Sequence, residues 1–170
     1  EHTTKKMSTR QMTFIALMTA VTCILGPLSI PLPFSPVPIS FTNLAIYLSL
    51  YVLGLNGATI SYLVYLLIGM VGVPVFSGFS GGFGKLAGPT GGYLIGFIFL
   101  TLIAGLLMKL LLGTVVCYAF GTAWLCFQAH MSAAAGLAAG VIPYIPGDLV
   151  KIVVAMIVGT ALRAALKKAR

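Results

Sequence analysis

The chain has 170 residues, of which 59% are hydrophobic and 7% are charged, and its mean hydropathy is +1.10. Soluble domains usually carry about 25% charged residues, so the composition excludes an ordinary soluble domain and indicates an integral membrane protein. The formal net charge is +8, and seven of the ten Lys and Arg residues lie within residues 5–10 and 163–170. Basic ends on a hydrophobic chain are typical of cytoplasmic termini, not of a nucleic-acid surface.

Six apolar stretches are long enough to cross a bilayer, which takes roughly 20 residues per helix. They cover residues 12–30, 39–55, 58–76, 93–110, 113–130 and 148–166. The sequence therefore predicts one all-α transmembrane domain over residues 1–170, with six helices and both termini cytoplasmic. Residues 131–147 are also apolar, but Gly and Pro interrupt them, so we predict a loop or re-entrant segment there. The first stretch is long enough to span and lacks a convincing cleavage site, so we expect no cleaved signal peptide.

The predicted topology assigns a side of the membrane to each connection. The connection after the fourth span would be cytoplasmic, in agreement with Lys109 beside it. The three long connections rich in Pro and Gly, residues 26–38, 77–92 and 131–147, would then be outside. Ordered loops often carry binding sites, so we predict an outward-facing pocket. Contact of these loops with lipid headgroups is the alternative.

Asp148 is the one acidic residue apart from Glu1, and Lys151 follows it three residues later. Residues three apart share one face of a helix, and charges inside a membrane protein are expensive to keep. One interpretation is structural: Asp148 is the N-cap of the last helix after Pro146-Gly147, and Lys151 pairs with it. The other is functional: the carboxylate accepts N–H groups and the ammonium donates to a carbonyl or an anion. A neutral cyclic urea offers that complementary set.

A glycine-rich connection contains eight glycines between residues 72 and 92, with aromatic residues interleaved. Glycine permits close approach of the backbone to a ligand or another helix. The ending Gly84-Lys85 fits a phosphate-binding P-loop, but Phe79 stands where that motif requires its first glycine, and Leu86 where it requires Ser or Thr. The sequence thus predicts no nucleotide site, and ATP-driven transport would need another subunit.

Three further features of the sequence bear on the site, the packing and the chemistry. Asn43, near the outer end of the second span, either lines the same pocket as Asp148 or bonds a neighbouring helix. Ala16 and Ala20, four residues apart in the first span, permit close helix packing. The three cysteines lie in apolar runs without metal-ligand spacing, and no cluster of catalytic type is present. We therefore predict no metal, no cofactor and no enzymatic activity.

Together, three runs of residues resemble the BioY family, the biotin-binding S components of energy-coupling-factor (ECF) transporters. The runs are GVPVFSG at residues 72–78, GPTGGY at residues 88–93 and IPGDLVK at residues 145–151. The resemblance extends over residues 10–163. Ala16 and Ala20 also match the small-residue motif with which the first helix of S components docks on the coupling subunit.

The resemblance implies a six-helix S-component fold in a prokaryotic cell membrane that captures biotin from outside. It also implies a transmembrane coupling subunit and a pair of ATPases as partners. The implied ligand contacts are Asp148, Lys151 and Asn43 with Phe79, Ser80, Lys85, Thr90 and Tyr93. Some relatives carry Arg at the position of Ser80, so the carboxylate of biotin is left to Lys85 or to solvent.

Other classes of membrane protein stay open at this point. A self-sufficient secondary transporter would often show inverted repeats and intramembrane ion sites, whereas this chain has no evident repeat and a single internal carboxylate. A membrane enzyme would need a catalytic cluster. A purely structural subunit would bind no ligand.

Overall fold

A computed structural model describes residues 6–103 and 107–168, with side chains for residues 6–102 and 111–168. Within these residues the order of elements is α1 (Thr9–Leu25), β1 (Ser29–Leu32), β2 (Ser35–Ser40), α2 (Thr42–Met70), α3 (Phe83–Ala87), α4 (Gly91–Ile103), α5 (Leu107–Ala129), α6 (Ala133–Gly140) and α7 (Ile145–Lys168). The side chains of Lys5, Lys109 and Arg170, to which the topology prediction refers, lie outside this description.

Helix α1 begins with a capping box. The Ser8 hydroxyl accepts the backbone N–H of Gln11, and the Gln11 side chain accepts the N–H of Ser8. This reciprocal pair satisfies two N–H groups that a helix start otherwise leaves without partners. The helix ends at Leu25, so the predicted first span of residues 12–30 is too long at its C-terminal end.

A β-hairpin follows, where the sequence predicted an irregular connection. β1 and β2 are antiparallel, with Ser29 opposite Ser40 and Ile30 opposite Ile39. Its prolines are Pro31, Pro33, Pro36 and Pro38. Proline cannot donate to a strand ladder, but a two-stranded ribbon consists of edge strands, which tolerate it. The second span accordingly begins at Thr42 and not at residue 39.

Helix α2 contains the second and third predicted spans, joined without a loop. Gly54 interrupts it with φ 74° and ψ −175°, a backbone conformation that favours glycine. The break lies two residues before the predicted connection at Asn56-Gly57. The second half ends at Met70, whereas the prediction extended to residue 76. Residues 71–82 form turns, and a short bridge pairs Phe76 with Ser80.

Helices α4 and α5 pack closely through glycine. A side chain at Gly92 would overlap Trp124, and one at Gly96 would approach the Sγ of Cys117 within 3.1 Å. The indole N–H of Trp124 also donates to the carbonyl of Gly88 at 3.0 Å. The glycine-rich connection is therefore held against α5 immediately before α4 begins.

Residues 131–147, predicted as a loop or re-entrant segment, contain helix α6 and the first turn of α7. Ser132 caps α6 through its hydroxyl. Any side chain at Gly136 would overlap Cys126 of α5, and any side chain at Gly140, the last residue of α6, would overlap Tyr93 of α4. These glycines therefore allow α6 to pack closely on α5 and α4. Helix α7 begins at Ile145 and not at Asp148, three residues earlier than predicted.

Buried tyrosines dominate the core, and each hydroxyl has a partner. Tyr62 donates to the carbonyl of Leu94 at 2.6 Å, Tyr65 donates to the carbonyl of Val75 at 2.9 Å, and Tyr47 bonds the hydroxyl of Thr114 at 2.8 Å. Buried polar groups are costly unless they are hydrogen-bonded. The tyrosines thereby connect α2 to α4, to α5 and to the turns that follow α2 itself.

Within the residues that the structure describes, three helices are long and apolar enough to cross a membrane: Thr42–Met70, Leu111–Ala129 and Ile145–Lys168. Two shorter apolar helices, Thr9–Leu25 and Gly91–Leu102, accompany them. The predicted all-helical class of membrane protein agrees with this largely helical fold, the hairpin apart. Because Gly54 divides α2 into two apolar halves, six apolar helical segments correspond to the six predicted spans. The number of crossings and the side of the termini stay predictions.

Candidate functional site

Asp148 and Lys151 form a buried ion pair at the start of α7. Lys151 Nζ lies 3.2 Å from Asp148 Oδ1, and the residues are 9% and 7% exposed. Asp148 is not the N-cap, because α7 begins before it and its own backbone N–H already donates to the carbonyl of Tyr144. The predicted capping role is therefore wrong, and the predicted pairing with Lys151 is observed.

Asn43 joins the pair to α2. Its amide Nδ2 donates to Asp148 Oδ1 at 2.6 Å, and its Oδ1 accepts from Lys151 Nζ at 3.1 Å. Lys151 also donates to the carbonyl of Ser40 at 2.6 Å. The ammonium thus has three acceptors for its three N–H groups. Both interpretations of Asn43 from the sequence hold, because it bonds another helix and lines the cavity described below.

Tyr118 on α5 completes this network. Its role at Asp148 was not predicted from the sequence. Its hydroxyl donates to Asp148 Oδ2, the carboxylate oxygen that Asn43 and Lys151 leave to it. Tyrosine within an apolar span is usually a packing residue, so the sequence alone carried no signal that this hydroxyl would reach a carboxylate.

A cavity opens beside these residues. Its lining comprises Val37, Pro38, Ser40, Thr42, Asn43, Tyr47, Ser77, Thr90, Tyr93, Leu94, Phe97, Leu100, Thr114, Cys117, Tyr118, Gly140, Tyr144, Asp148 and Lys151. These come from β2, α2, α4, α5, α7 and all three predicted outer connections. The enclosed part of the cavity has a volume of about 70 Å³, and the space that includes the open mouth is about 700 Å³.

The hairpin covers part of this cavity and is bonded to the third connection. The Ser35 hydroxyl donates to the carbonyl of Ala139 at 2.6 Å and contacts the Tyr144 hydroxyl at 3.1 Å. Tyr144 donates in turn to the carbonyl of Val37. Burial, reinforced by Asp148, raises the pKa of Tyr144, so this hydroxyl keeps its proton at neutral pH and can serve as a donor.

The predicted contacts in the glycine-rich connection divide into two groups. Thr90 and Tyr93 line the cavity, and Tyr93 bonds the carbonyl of Gly140 at 3.0 Å. Phe79 is 67% exposed, the Ser80 hydroxyl donates to the carbonyl of Ser77, and neither is part of the lining. Lys85 on α3 is also outside the lining, and partial burial lowers its pKa. Roles for these last three residues in ligand binding stay predictions.

Among the described residues there is neither a candidate metal site nor a disulfide bond. None of the His, Cys, Asp and Glu residues among them forms a group of three that could hold a metal ion. Cys23, Cys117 and Cys126 are free thiols. The polar chemistry of the cavity therefore comes from one carboxylate, one ammonium, one amide and several hydroxyls.

Fold and cavity together define a class: a helical membrane protein with a partly enclosed, polar-lined cavity at one end of its helices. Comparison with known proteins identifies the family. The family model described as "BioY family" matches residues 2–168, and this chain belongs to that family. The resemblance drawn from its three sequence runs is confirmed.

Individual relatives agree with this assignment. The "Probable biotin transporter BioY" of Pyrococcus horikoshii is 36% identical over 163 residues, covering 92% of this chain and 98% of the relative. The "Biotin transporter BioY" of Thermotoga maritima is 36% identical, covering 91% and 96%. The crystal structure of the S-component for biotin from an ECF-type ABC transporter is similar with a TM-score of 0.85 and 31% identity, covering 94% of this chain and 95% of the other.

Proposed function

We propose that this chain binds biotin in the described cavity and presents it for uptake, without being an enzyme. The observation that carries the proposal is the buried Asp148 carboxylate, surrounded by Asn43, Lys151 and Tyr118 at the cavity wall. The ureido ring of biotin has N–H groups that a carboxylate accepts and a carbonyl that an ammonium or amide can bind. The carbonyl would lie near Lys151 or Asn43.

The remainder of biotin is apolar except for its carboxylate. Aromatic side chains around the cavity, among them Tyr47, Tyr93 and Phe97, would enclose the thiophane ring and the aliphatic chain. Apolar enclosure with a few placed polar groups is the usual construction of small-ligand sites. The ligand carboxylate would point to the mouth, where Ser77 and Thr90 lie, and would be held by Lys85 or by solvent.

Orientation in the membrane follows from the basic residues. α1 ends just before the hairpin and α7 begins beside the cavity, so Arg10 and the basic cluster Arg163, Lys167 and Lys168 lie toward the opposite end of these helices. The positive-inside rule places that end in the cytoplasm. The cavity would then open to the outside of a prokaryotic cell membrane.

Transport would require partners, because the sequence has no nucleotide motif of its own. The expected partners are a transmembrane coupling subunit and a pair of ATPases. Ala16 and Ala20 are both exposed on α1, which leaves a surface of small side chains available to a helix of the coupling subunit.

Ala16→Leu and Ala20→Leu should therefore spare biotin binding and weaken assembly with the coupling subunit and the ATPases. The added side chains would project from α1 away from the cavity and separate the two helices. Co-purification yield measures assembly, and calorimetric titration of the isolated chain measures binding. Loss of binding with normal assembly would contradict this docking role.

The proposed function is tested by titrating the purified chain with biotin and by uptake into proteoliposomes. Binding by the isolated chain, with uptake only when coupling subunit and ATPases are reconstituted with it, is expected. Concentrative uptake by the chain alone would favour the secondary transporter instead. No binding at all would leave a structural subunit.

A further inference from the structure

The Asp148 carboxylate has no oxygen without a donor in this structure. Oδ1 accepts from Asn43 and Lys151, and Oδ2 accepts from Tyr118. A ligand that presents two N–H groups to this carboxylate needs a position on Oδ2. Each carboxylate oxygen can accept two hydrogen bonds, so Oδ1 is filled, and a ligand donor at Oδ2 would lie beside the hydroxyl of Tyr118 or take its place.

The cavity is also small as it stands. An apolar cavity of about 150 Å³ in another protein holds one benzene molecule, and the space here is about 70 Å³ by a comparable measure. A bicyclic ligand therefore does not fit within the enclosed part of the cavity unless a side chain of the lining moves. The residues of the network differ in how firmly they are held.

Tyr118 is the residue of the network with the fewest attachments. Within the described part of the chain, its hydroxyl has one hydrogen bond, to the carboxylate itself. Lys151 has three acceptors, and Asn43 bonds Asp148, Lys151 and the backbone N–H of Leu44. Tyr93 and Tyr144 are bonded to backbone carbonyls of neighbouring segments.

Behind Tyr118 lies a second, apolar space. This open cleft between α5, α6 and α7 has a volume of about 710 Å³, compared with about 70 Å³ for the cavity. Its lining includes Val115, Leu137 and Leu149, and the residues that border both spaces are Thr114, Tyr118 and Asp148. The ring of Tyr118 is thus part of the wall between a narrow polar cavity and a roomy apolar cleft.

We propose that Tyr118 is a displaceable substitute for the ligand: its hydroxyl satisfies Asp148 when the site is empty, and its ring moves into the cleft when a ligand N–H takes Oδ2. This inference rests on the proposed function. It makes Tyr118 a specificity-determining residue, because a molecule must offer a donor good enough to replace the phenol before the cavity can accommodate it.

Tyr118→Phe separates this role from simple positioning. Without the hydroxyl, biotin no longer competes with a hydrogen bond to a charged group, which is stronger than a bond between neutral groups. Calorimetric titration should give a dissociation constant at least about tenfold lower than that of the unsubstituted chain. The empty variant should melt at a lower temperature, since it has lost a bond to Asp148. A residue that positions Asp148 for the ligand would instead lose affinity and stability together.

The role of the cleft is tested with Val115→Phe and a matched control. Val115 lines the cleft one turn before Tyr118 and is 59% exposed, whereas Val153 on α7 is 54% exposed and outside the lining. Val115→Phe should raise the dissociation constant for biotin about tenfold, and Val153→Phe should not change it. The effect of Val115→Phe should vanish in a Tyr118→Ala background, where no ring has to move.

The outcomes are distinguishable. Failure of the unsubstituted chain to bind biotin overturns the proposed function and this inference with it. Binding by that chain, with equal or weaker binding by Tyr118→Phe, overturns the inference alone. The same holds if Val115→Phe weakens binding equally with and without Tyr118.

Discussion

Asp148→Asn is expected to weaken biotin binding by at least about 1.4 kcal/mol, or tenfold. The substitution keeps the shape of the side chain but removes the charge that accepts from Asn43, Lys151 and Tyr118. Hydrogen bonds to a charged group contribute roughly 1.5–3 kcal/mol each, and the ligand's N–H groups would lose that acceptor. Isothermal titration of the purified variant measures the change, and unchanged affinity would exclude the role of Asp148 in binding.

A double variant separates binding from folding. Asp148→Asn alone leaves the Lys151 ammonium buried without its counter-charge, and breaking a buried pair in this way typically costs about 3–5 kcal/mol of stability. Adding Lys151→Met removes the buried positive charge that has lost its partner. The double variant should recover much of the melting temperature and none of the affinity, since Lys151 is itself an expected contact of the ureido carbonyl. Recovery of affinity along with stability would mean that Asp148 only supports the fold.

Gly91→Ala is expected to destabilise the protein strongly, by at least about 2 kcal/mol, within the range for an overpacked core. Gly91 is buried at the start of α4, and a side chain there would overlap the backbone carbonyl of Leu86 in α3. A backbone group cannot rotate away as a side-chain tip can, so the junction between α3 and α4 must shift. Because Thr90 and Tyr93 flank Gly91 and line the cavity, binding should weaken too.

Gly84→Ala is the matched control for that prediction. Gly84 lies in α3 in the same connection, and a side chain there would meet no atom within 4 Å. Thermal melting in detergent should show a fall of at least about 4 °C for Gly91→Ala and little change for Gly84→Ala. Equal melting temperatures for the two variants would contradict the packing described at the junction.

Much of the site could be predicted because it follows from local spacing. Asp148 and Lys151 are three residues apart, which places them on one helix face in any register. The predicted six-span topology places the three Pro- and Gly-rich connections on one side of the membrane, and all three contribute to the cavity lining. Asn43 was identified because an amide is rare in an apolar span and has to find polar partners.

The tyrosine hydroxyls could not be predicted in the same way. The position of Tyr144 depends on the turn between α6 and α7. Whether Tyr118 and Tyr47 face the cavity depends on the rotation of each helix about its axis and on the partner that it packs against. Neither quantity is encoded in local pattern when the whole segment is apolar. A conspicuous motif, in turn, does not place a side chain in the cavity. Phe79 is exposed, and the Ser80 hydroxyl bonds the nearby carbonyl of Ser77.

The hairpin and α6 differ from the prediction because Pro and Gly do not break regular structure in these two segments. The prolines of residues 31–38 indicated a loop, although their spacing also suits the edges of a two-stranded ribbon. In residues 133–140, alanine is the strongest helix former, and that signal outweighs Gly136 and Gly140. Those glycines mark where α6 packs against Cys126 and Tyr93.

The most direct test of the central claim is titration of the purified chain with biotin and with biotin methylated on its ureido nitrogens. Both molecules share the ring sulfur, the aliphatic chain and the carboxylate, and they differ in the N–H groups assigned to Asp148. The chain should bind biotin, and methylation should weaken binding by at least about tenfold, since it removes hydrogen bonds to a charged group. Absence of biotin binding, or equal binding of both molecules, would contradict the assignment of the ureido ring to Asp148.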